Sequence, residues 1–292
     1  MTEFYLQAYP PFSLTRVIRS HGWVQLLPFD SDQEYTVLQT LLRLSTGRIG
    51  IVNIEEAQGG VQVRYDGKLE EDEREELEGI VSWMLDLELD LSDFYALARS
   101  EPKLAHAAVY ARGRILRSPT VFEDVVKTIL TTNTTWNGTK RMVKALVDQY
   151  GAPLPSNPSR RTFPTARQLA EADVQSLRMD AKLGYRAPYV LELAQRQSSG
   201  EIDLEGLKTN QPPTAELRKH LLALKGVGDY AAANLLMLLG HYDYIPVDSW
   251  AINMVSKEWY AGAPIGRAEV EAAFEKWGNY KGLAYWLWDW SE

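Results

Sequence analysis

The hydrophobic period of this chain changes once, near residue 70, and the change bounds the folds open to it. Before it, β-forming residues alternate with polar ones in "GWVQLLPF", "YTVLQTLLRL", "RIGIVNIEE" and "GVQVRYDG". Successive strand residues face opposite sides of a sheet, so this alternation predicts antiparallel strands, with Gly47, Gly50, Gly59, Gly60 and Gly67 at turn spacing. Beyond it, apolar residues recur every three or four positions. That spacing predicts helices over 72–87, 101–111, 120–133, 137–150, 184–197, 214–223, 229–240, 248–259, 267–277 and 281–290. Ser118-Pro119 and Asp229 supply capping signals. The stretch "GAPLPSNPSRRTFPTA" (151–166) is too rich in proline and small polar residues for a helix, and a loop is expected there. The expected fold class is α+β, with a small N-terminal antiparallel β domain over 1–98 and a mainly α-helical region over 99–292.

Several chemistries fall away at once. No apolar run approaches the ~18 residues a membrane span needs, and "MTEFYLQAYPPFS" lacks the pattern of a secretory signal. A cytoplasmic protein is expected. The chain has no cysteine, which excludes disulfides, thiolate zinc and a cysteine-ligated iron–sulfur cluster. His21, His106, His220 and His241 are too scattered to suggest a metal site. The net charge of −8 argues at first against nucleic acid. However, residues 66–93 alone hold twelve acids against two bases, so the rest of the chain is slightly basic. The acidic run reads as a solvated helix face. "TKRMVKAL" (139–146) and "RMDAKLGYRAPY" (178–189) form basic patches that permit a DNA partner.

The most specific stretch is "LKGVGDYAAANLLMLLGHYDYIPVDSW" (224–250). A helix ends, Gly226 and Gly228 shape a short turn, and a new helix starts near Asp229. Glycines there allow positive φ and leave room for another backbone. The first N–H groups of the new helix have no partner within it and carry the positive dipole end, which suits a phosphate. Free carbonyls in the turn (Leu222, Leu224 and Val227) can hold a monovalent cation such as Na⁺ or K⁺. An ordinary packing corner would read the same way. Pro246 and Asp248 follow, just before another amphipathic stretch. A carboxylate at a helix start is commonly a cap, and the same dipole keeps it ionised. Fixed carboxylates also stabilise the oxocarbenium-like cation that forms when an N-glycosidic bond breaks.

The pair "LKGVG…IPVDSW" resembles the signature of the helix-hairpin-helix (HhH-GPD) base-excision DNA glycosylases. Similarity extends through 118–151, 177–194 and 275–288, and the N-terminal part resembles the branch of oxidised-guanine and alkylated-base glycosylases. The resemblance implies a two-lobed helical core, with the hairpin at 221–234 and a lobe closed by helices over 248–291. It implies that Leu224, Lys225, Gly226, Val227 and Gly228 grip DNA, that Asp248 is catalytic, and that a monomer binds duplex DNA carrying a damaged base. Association with the nucleoid would follow in a bacterial cell. No cofactor is implied beyond the possible hairpin cation.

Bifunctional members carry a lysine where this chain has Tyr230. The departure implies a monofunctional enzyme that uses Asp248 and water. Lys225 is the nearest competing amine. By the same resemblance, Asn133, Tyr185 and Arg186 would plug the hole left by a flipped nucleotide and read the opposite base. Gly138 replaces a further arginine of that branch. Tyr230, Asn234, Trp250, Tyr285 and Trp288 are the candidates for an aromatic base pocket, which favours alkylated purines. Two alternatives stay open: an oxidised-purine (8-oxoguanine-type) glycosylase with or without lyase activity, and a non-catalytic damaged-DNA binding protein.

Overall fold

The computed structural model describes residues 1–210, 212–247 and 249–288. The fold is α+β, as expected, with an antiparallel sheet ahead of a long helical series. The chain divides into two compact units, Met1–Asp90 with Arg114–Asn210, and Leu91–Gly113 with Gln211–Glu292. This differs from the expected division at residue 98. The sheet shares its unit with the helices of the middle third, and the short 91–113 segment joins the C-terminal helices instead.

In the first unit five antiparallel strands, β1 (Thr2–Gln7), β2 (Asp30–Ser31), β3 (Val37–Arg43), β4 (Ile49–Ala57) and β5 (Gly60–Tyr65), lie in the order β1-β5-β4-β3-β2. Alternation sets their faces: Val52, Ile54, Val61 and Val63 are fully buried, whereas Asn53, Glu55, Gln62 and Arg64 keep accessible surface. The acidic helix, Glu71–Leu85, buries Leu77, Val81, Met84 and Leu85 completely. Its acids are not all solvated, contrary to the sequence reading. Glu73 is 4% exposed and accepts from Thr46 Oγ1 at 2.7 Å and Arg48 Nε at 3.0 Å. Glu76 accepts from the Ser45 backbone N–H at 2.8 Å. The helix is thereby bolted to the turn between β3 and β4 by charge as well as by its apolar stripe.

Two further features escaped sequence reasoning. The buried Arg114 guanidinium donates to the carbonyls of Asp86, Pro11, Tyr9 and Leu89 at 3.0, 2.8, 2.6 and 2.6 Å, knotting the exit of β1 to the end of the acidic helix. The proline-rich stretch 151–166 is not all loop. Pro153–Leu154 pairs with Asn157–Arg161 as a two-stranded sheet, and Pro153 opens its strand, where a missing N–H is tolerated.

The second unit is helical: Ser92–Ala98, Ala105–Val109, Thr214–Leu222, Asp229–Leu238, Ser249–Trp259, Arg267–Phe274 and Lys281–Leu287. Phe94 ties the 91–113 segment in, with ring centroids 6.1 Å from Trp277 and 5.7 Å from Tyr280. Gly282 is required by close approach. Its N–H donates to the Tyr242 carbonyl at 2.6 Å, and a Cβ there would lie 2.2 Å from the Tyr244 carbonyl oxygen. The last helix is so docked directly on the backbone arm that leads toward Pro246.

Candidate functional site

The hairpin is anchored by what it buries. Leu224 and Val227 are 7% and 6% exposed and pin the turn to its unit, while Lys225, Gly228, Asp229 and Tyr230 stay accessible. The Val227 N–H donates to the Leu224 carbonyl at 3.1 Å, and Gly226, third in that four-residue turn, has φ +87°. A left-handed third residue is what a type II turn demands, and glycine supplies it without strain. Gly228 differs from the expectation: its φ is −91°, and a Cβ there would meet nothing within 4 Å. Among the described residues, neither backbone conformation nor packing calls for glycine at 228.

Gly228 is the N-cap of Asp229–Leu238, and among the described residues no side chain caps that helix. Asp229 is its first residue rather than its cap, and its carboxylate instead pairs with Arg218. The contrast with Val121–Thr131 is instructive. There the Glu205 carboxylate accepts from the Val121 and Phe122 N–H groups at 3.2 and 3.0 Å, and Thr120 accepts from Glu123 N–H at 3.2 Å. One helix start is saturated by the protein's own oxygens; at the other, no side chain among the described residues takes up the first N–H groups.

The cation site expected at Leu222, Leu224 and Val227 offers neutral backbone oxygens, the donor type suited to a hard monovalent ion. Among the described residues the Leu222 and Val227 carbonyls accept no backbone hydrogen bond, and that of Leu224 accepts one. The donor set fits such an ion.

Of the expected pocket residues, Tyr230 is 53% and Trp250 46% exposed. Asn234 folds back, donating to the Tyr230 carbonyl at 2.8 Å. Trp250 stands edge-on over Tyr285 at 5.3 Å, and Tyr285 backs onto Phe274 at 5.8 Å. Tyr285 and Trp288 are each 5% exposed. Trp288 packs against Trp259 at 4.8 Å and Phe274 at 5.3 Å, so both it and Tyr285, expected on an aromatic pocket wall, are core side chains here. Asp248 lies outside the described residues. The chain ahead of it is held at Asp243, which accepts from Thr214 Oγ1 at 2.6 Å, and at His241, whose Nδ1 lies 2.9 Å from the same oxygen.

In the first unit Asn133, Tyr185 and Arg186 come together across more than fifty residues of sequence. Asn133 is left-handed (φ +46°), and its side-chain amide donates to Tyr185 Oη at 3.3 Å. Lys182 and Gly184, at φ +60° and +59°, turn the chain so that Tyr185 projects 50% exposed. Arg186, expected to donate to the opposite base, is enclosed within the protein. It is 6% exposed, its guanidinium lies 4.4 Å from the Tyr185 ring centroid, and it donates to the Thr132 and Asn133 carbonyls. Gly138 is buried, and a Cβ there would lie 2.3 Å from Thr134 Oγ1, so a larger residue would have to displace that hydroxyl.

The helix that ends beside Asn133 is set by a buried charge cluster which sequence reasoning missed. Lys127 is fully buried, 2.6 Å from Glu123 and 4.6 Å from the Phe29 ring centroid. Asp124 accepts from Trp23 Nε1 at 2.7 Å and the Ser118 N–H at 3.0 Å. Burial pushes both carboxyls above their ordinary range, against the pull of Lys127 on each. His21, whose ring packs on Trp23 at 4.6 Å, hydrogen-bonds the Leu116 carbonyl through Nε2 at 2.7 Å, and burial lowers its pKa to about 4. The signal was present in "FEDVVK", a charge pair at i, i+4 inside an otherwise apolar helix.

Thr214–Leu222, the turn with Gly226 at positive φ, and Asp229–Leu238 form a helix, hairpin and helix in succession. The model of the HhH-GPD superfamily base excision DNA repair proteins matches residues 126–279, more than half the chain, and the chain belongs to that family. A DNA-3-methyladenine glycosylase of Bacillus subtilis (strain 168) is 27% identical over 183 residues, covering 61% of this chain and 59% of that protein. The chain thus spans 59% of the length of this curated relative. The fold is shared with the 3-methyladenine DNA-glycosylase of Archaeoglobus fulgidus (TM-score 0.77, 21% identity, 99% of this chain and 97% of that one). It is shared also with the 8-oxoguanine glycosylase/lyase of Clostridium acetobutylicum (TM-score 0.65, 20% identity, 90% and 98%).

Proposed function

We propose that this chain is a monofunctional DNA glycosylase that turns a damaged, alkylated purine out of duplex DNA and hydrolyses its N-glycosidic bond. The observation that carries the reading is the start of Asp229–Leu238, uncapped among the described residues, behind a glycine at which a Cβ would meet none of them within 4 Å. A DNA phosphate would accept from the first N–H groups and place its charge at the positive dipole end. The Leu222, Leu224 and Val227 carbonyls would hold a monovalent cation on the same turn.

Asp248 is the proposed catalytic carboxylate. As the base departs with the electron pair of its bond to C1′, positive charge spreads over the sugar, and a fixed carboxylate stabilises it. Water then bonds to C1′, and its proton passes to the carboxylate or to solvent. Tyr230 stands where lyase members of the family have lysine, so the product is an abasic site in an intact strand. The Trp250 ring offers a cationic, alkylated purine a face to stack on, and Asn133 with Tyr185 fills the gap that the flipped nucleotide leaves. The partner is duplex DNA, bound by a monomer in the cytoplasm.

The test is base release from a panel of duplexes bearing alkylated or oxidised purines, with and without alkali. Release of an alkylated purine, with strand cleavage only after alkali, is expected. Borohydride trapping should yield no protein–DNA adduct. An adduct lost in Lys225→Ala would establish the oxidised-purine, lyase-competent reading instead, and absence of release from every substrate would leave a damaged-DNA binding protein.

A further inference from the structure

An arginine beside a wedge tyrosine invites the idea that it reads the base opposite the lesion. Here three of its five N–H groups already donate to backbone carbonyls. The Arg186 Nε donates to the Thr132 carbonyl at 3.1 Å, and Nη2 donates to the carbonyls of Thr132 and Asn133, the latter at 3.1 Å. Its Nη1 faces the Met142 sulfur at 4.0 Å. Those carbonyls follow the end of Val121–Thr131, where helix geometry leaves acceptors without intrahelical donors. Withdrawing the guanidinium toward DNA would strip them of their donor and uncover the underside of the Tyr185 ring.

The contacts close a ring. Arg186 holds the Asn133 carbonyl, the Asn133 side chain donates to Tyr185 Oη, and Tyr185 lies over Arg186. The exposed parts of this ring are the Tyr185 phenol and the Asn133 amide. A phenol ring stacks on any base, so it carries little sequence preference.

We propose that Arg186 is a positioning residue, which locks Asn133 and Tyr185 into one preformed wedge and does not read the opposite base. The proposal rests on the glycosylase reading and adds a specificity to it: the wedge accepts all four opposite bases nearly alike.

The test is binding of the full chain to duplexes with a tetrahydrofuran abasic analogue opposite A, C, G or T, with 2-aminopurine flanking the site. For the wild type the four dissociation constants should agree within about threefold, less than one good base-edge contact would produce. Arg186→Ala should weaken all four by a common factor of about tenfold, as expected when a charge-assisted clamp is lost. It should also diminish the 2-aminopurine response that reports wedge stacking. Arg186→Lys should resemble Ala, since an ammonium cannot span two carbonyls as a planar fork does. Tyr185→Phe, which keeps the ring over Arg186, should weaken binding by only about twofold, the worth of one exposed hydrogen bond. Thermal melts of each variant separate loss of the wedge from loss of the fold. A wild-type preference for one opposite base that vanishes in Arg186→Ala would overturn the proposal, as would unchanged affinity in that variant. If the wild type bound intact and abasic duplex equally, the glycosylase reading itself would fall, and this inference with it.

Discussion

At the scale of single residues, three positions carry separable consequences. Asp248→Asn removes a charge where the sugar cation forms, so base release should fall by about a hundredfold or more while abasic-site DNA is still bound. Single-turnover kinetics beside a binding titration check it. Gly228→Ala enters open space at a φ of −91°, so its melting curve should match the wild type. Its DNA affinity should nevertheless drop, because the new methyl stands where a phosphate backbone would approach. His21 supplies a pH signature. Its folded pKa of about 4 lies below the ordinary value of 6.5, so the unfolded chain binds its proton first and stability declines as pH falls from 6.5 toward 4. His21 as a residue keeps some accessible surface, and the loss should be about 2 kcal/mol, short of the ~3 kcal/mol that the full shift implies. Denaturant unfolding across that window shows it as the difference between wild type and His21→Gln, which isolates His21 from Glu123 and Asp124.

At the scale of elements, the hairpin and the arm before Asp248 are set by different physics. Gly226 is needed for its φ of +87°, so Gly226→Ala should cost about 1–2 kcal/mol in denaturant unfolding and weaken DNA binding together with stability. Gly282 is needed for space, since a methyl would strike two backbone carbonyls of the Tyr242–Tyr244 arm. Gly282→Ala should cost about 1–3 kcal/mol and slow base release beyond the stability loss, because the displaced arm carries the chain toward Asp248. Exchanging K⁺ for a bulky tetraalkylammonium ion at constant ionic strength should weaken DNA binding, since a large ion cannot sit among the hairpin carbonyls. The hairpin was legible in sequence because glycine spacing and helix starts are local properties. Gly282 was not, because nothing beside it in sequence announces a carbonyl that arrives from forty residues away.

At the scale of the whole molecule, the net charge of −8 sits on a protein proposed to bind a polyanion. Affinity must then come from a few placed contacts, and log–log salt titration should give a slope near −0.9 for each phosphate neutralised. A slope near zero would contradict the phosphate-gripping hairpin. Local chemistry determined much here: the change of hydrophobic period gave the α+β class, the longer helices fell within a few residues of the expected spans while the short ones at Leu14–Ile18, Ser92–Ala98, Ala166–Ala170 and Val174–Met179 were not expected, and the hairpin was placed by its glycines. These features depend on neighbours in the chain, and a sequence states its neighbours. Tertiary structure alone decided that Arg186 is buried beneath Tyr185, that Trp288 belongs to the core, that Lys127 is enclosed with Glu123, and that residues 91–113 join the C-terminal helices. Each of these turns on which distant carbonyl, ring or carboxylate comes within reach, and that is fixed only when the chain closes on itself and excludes water.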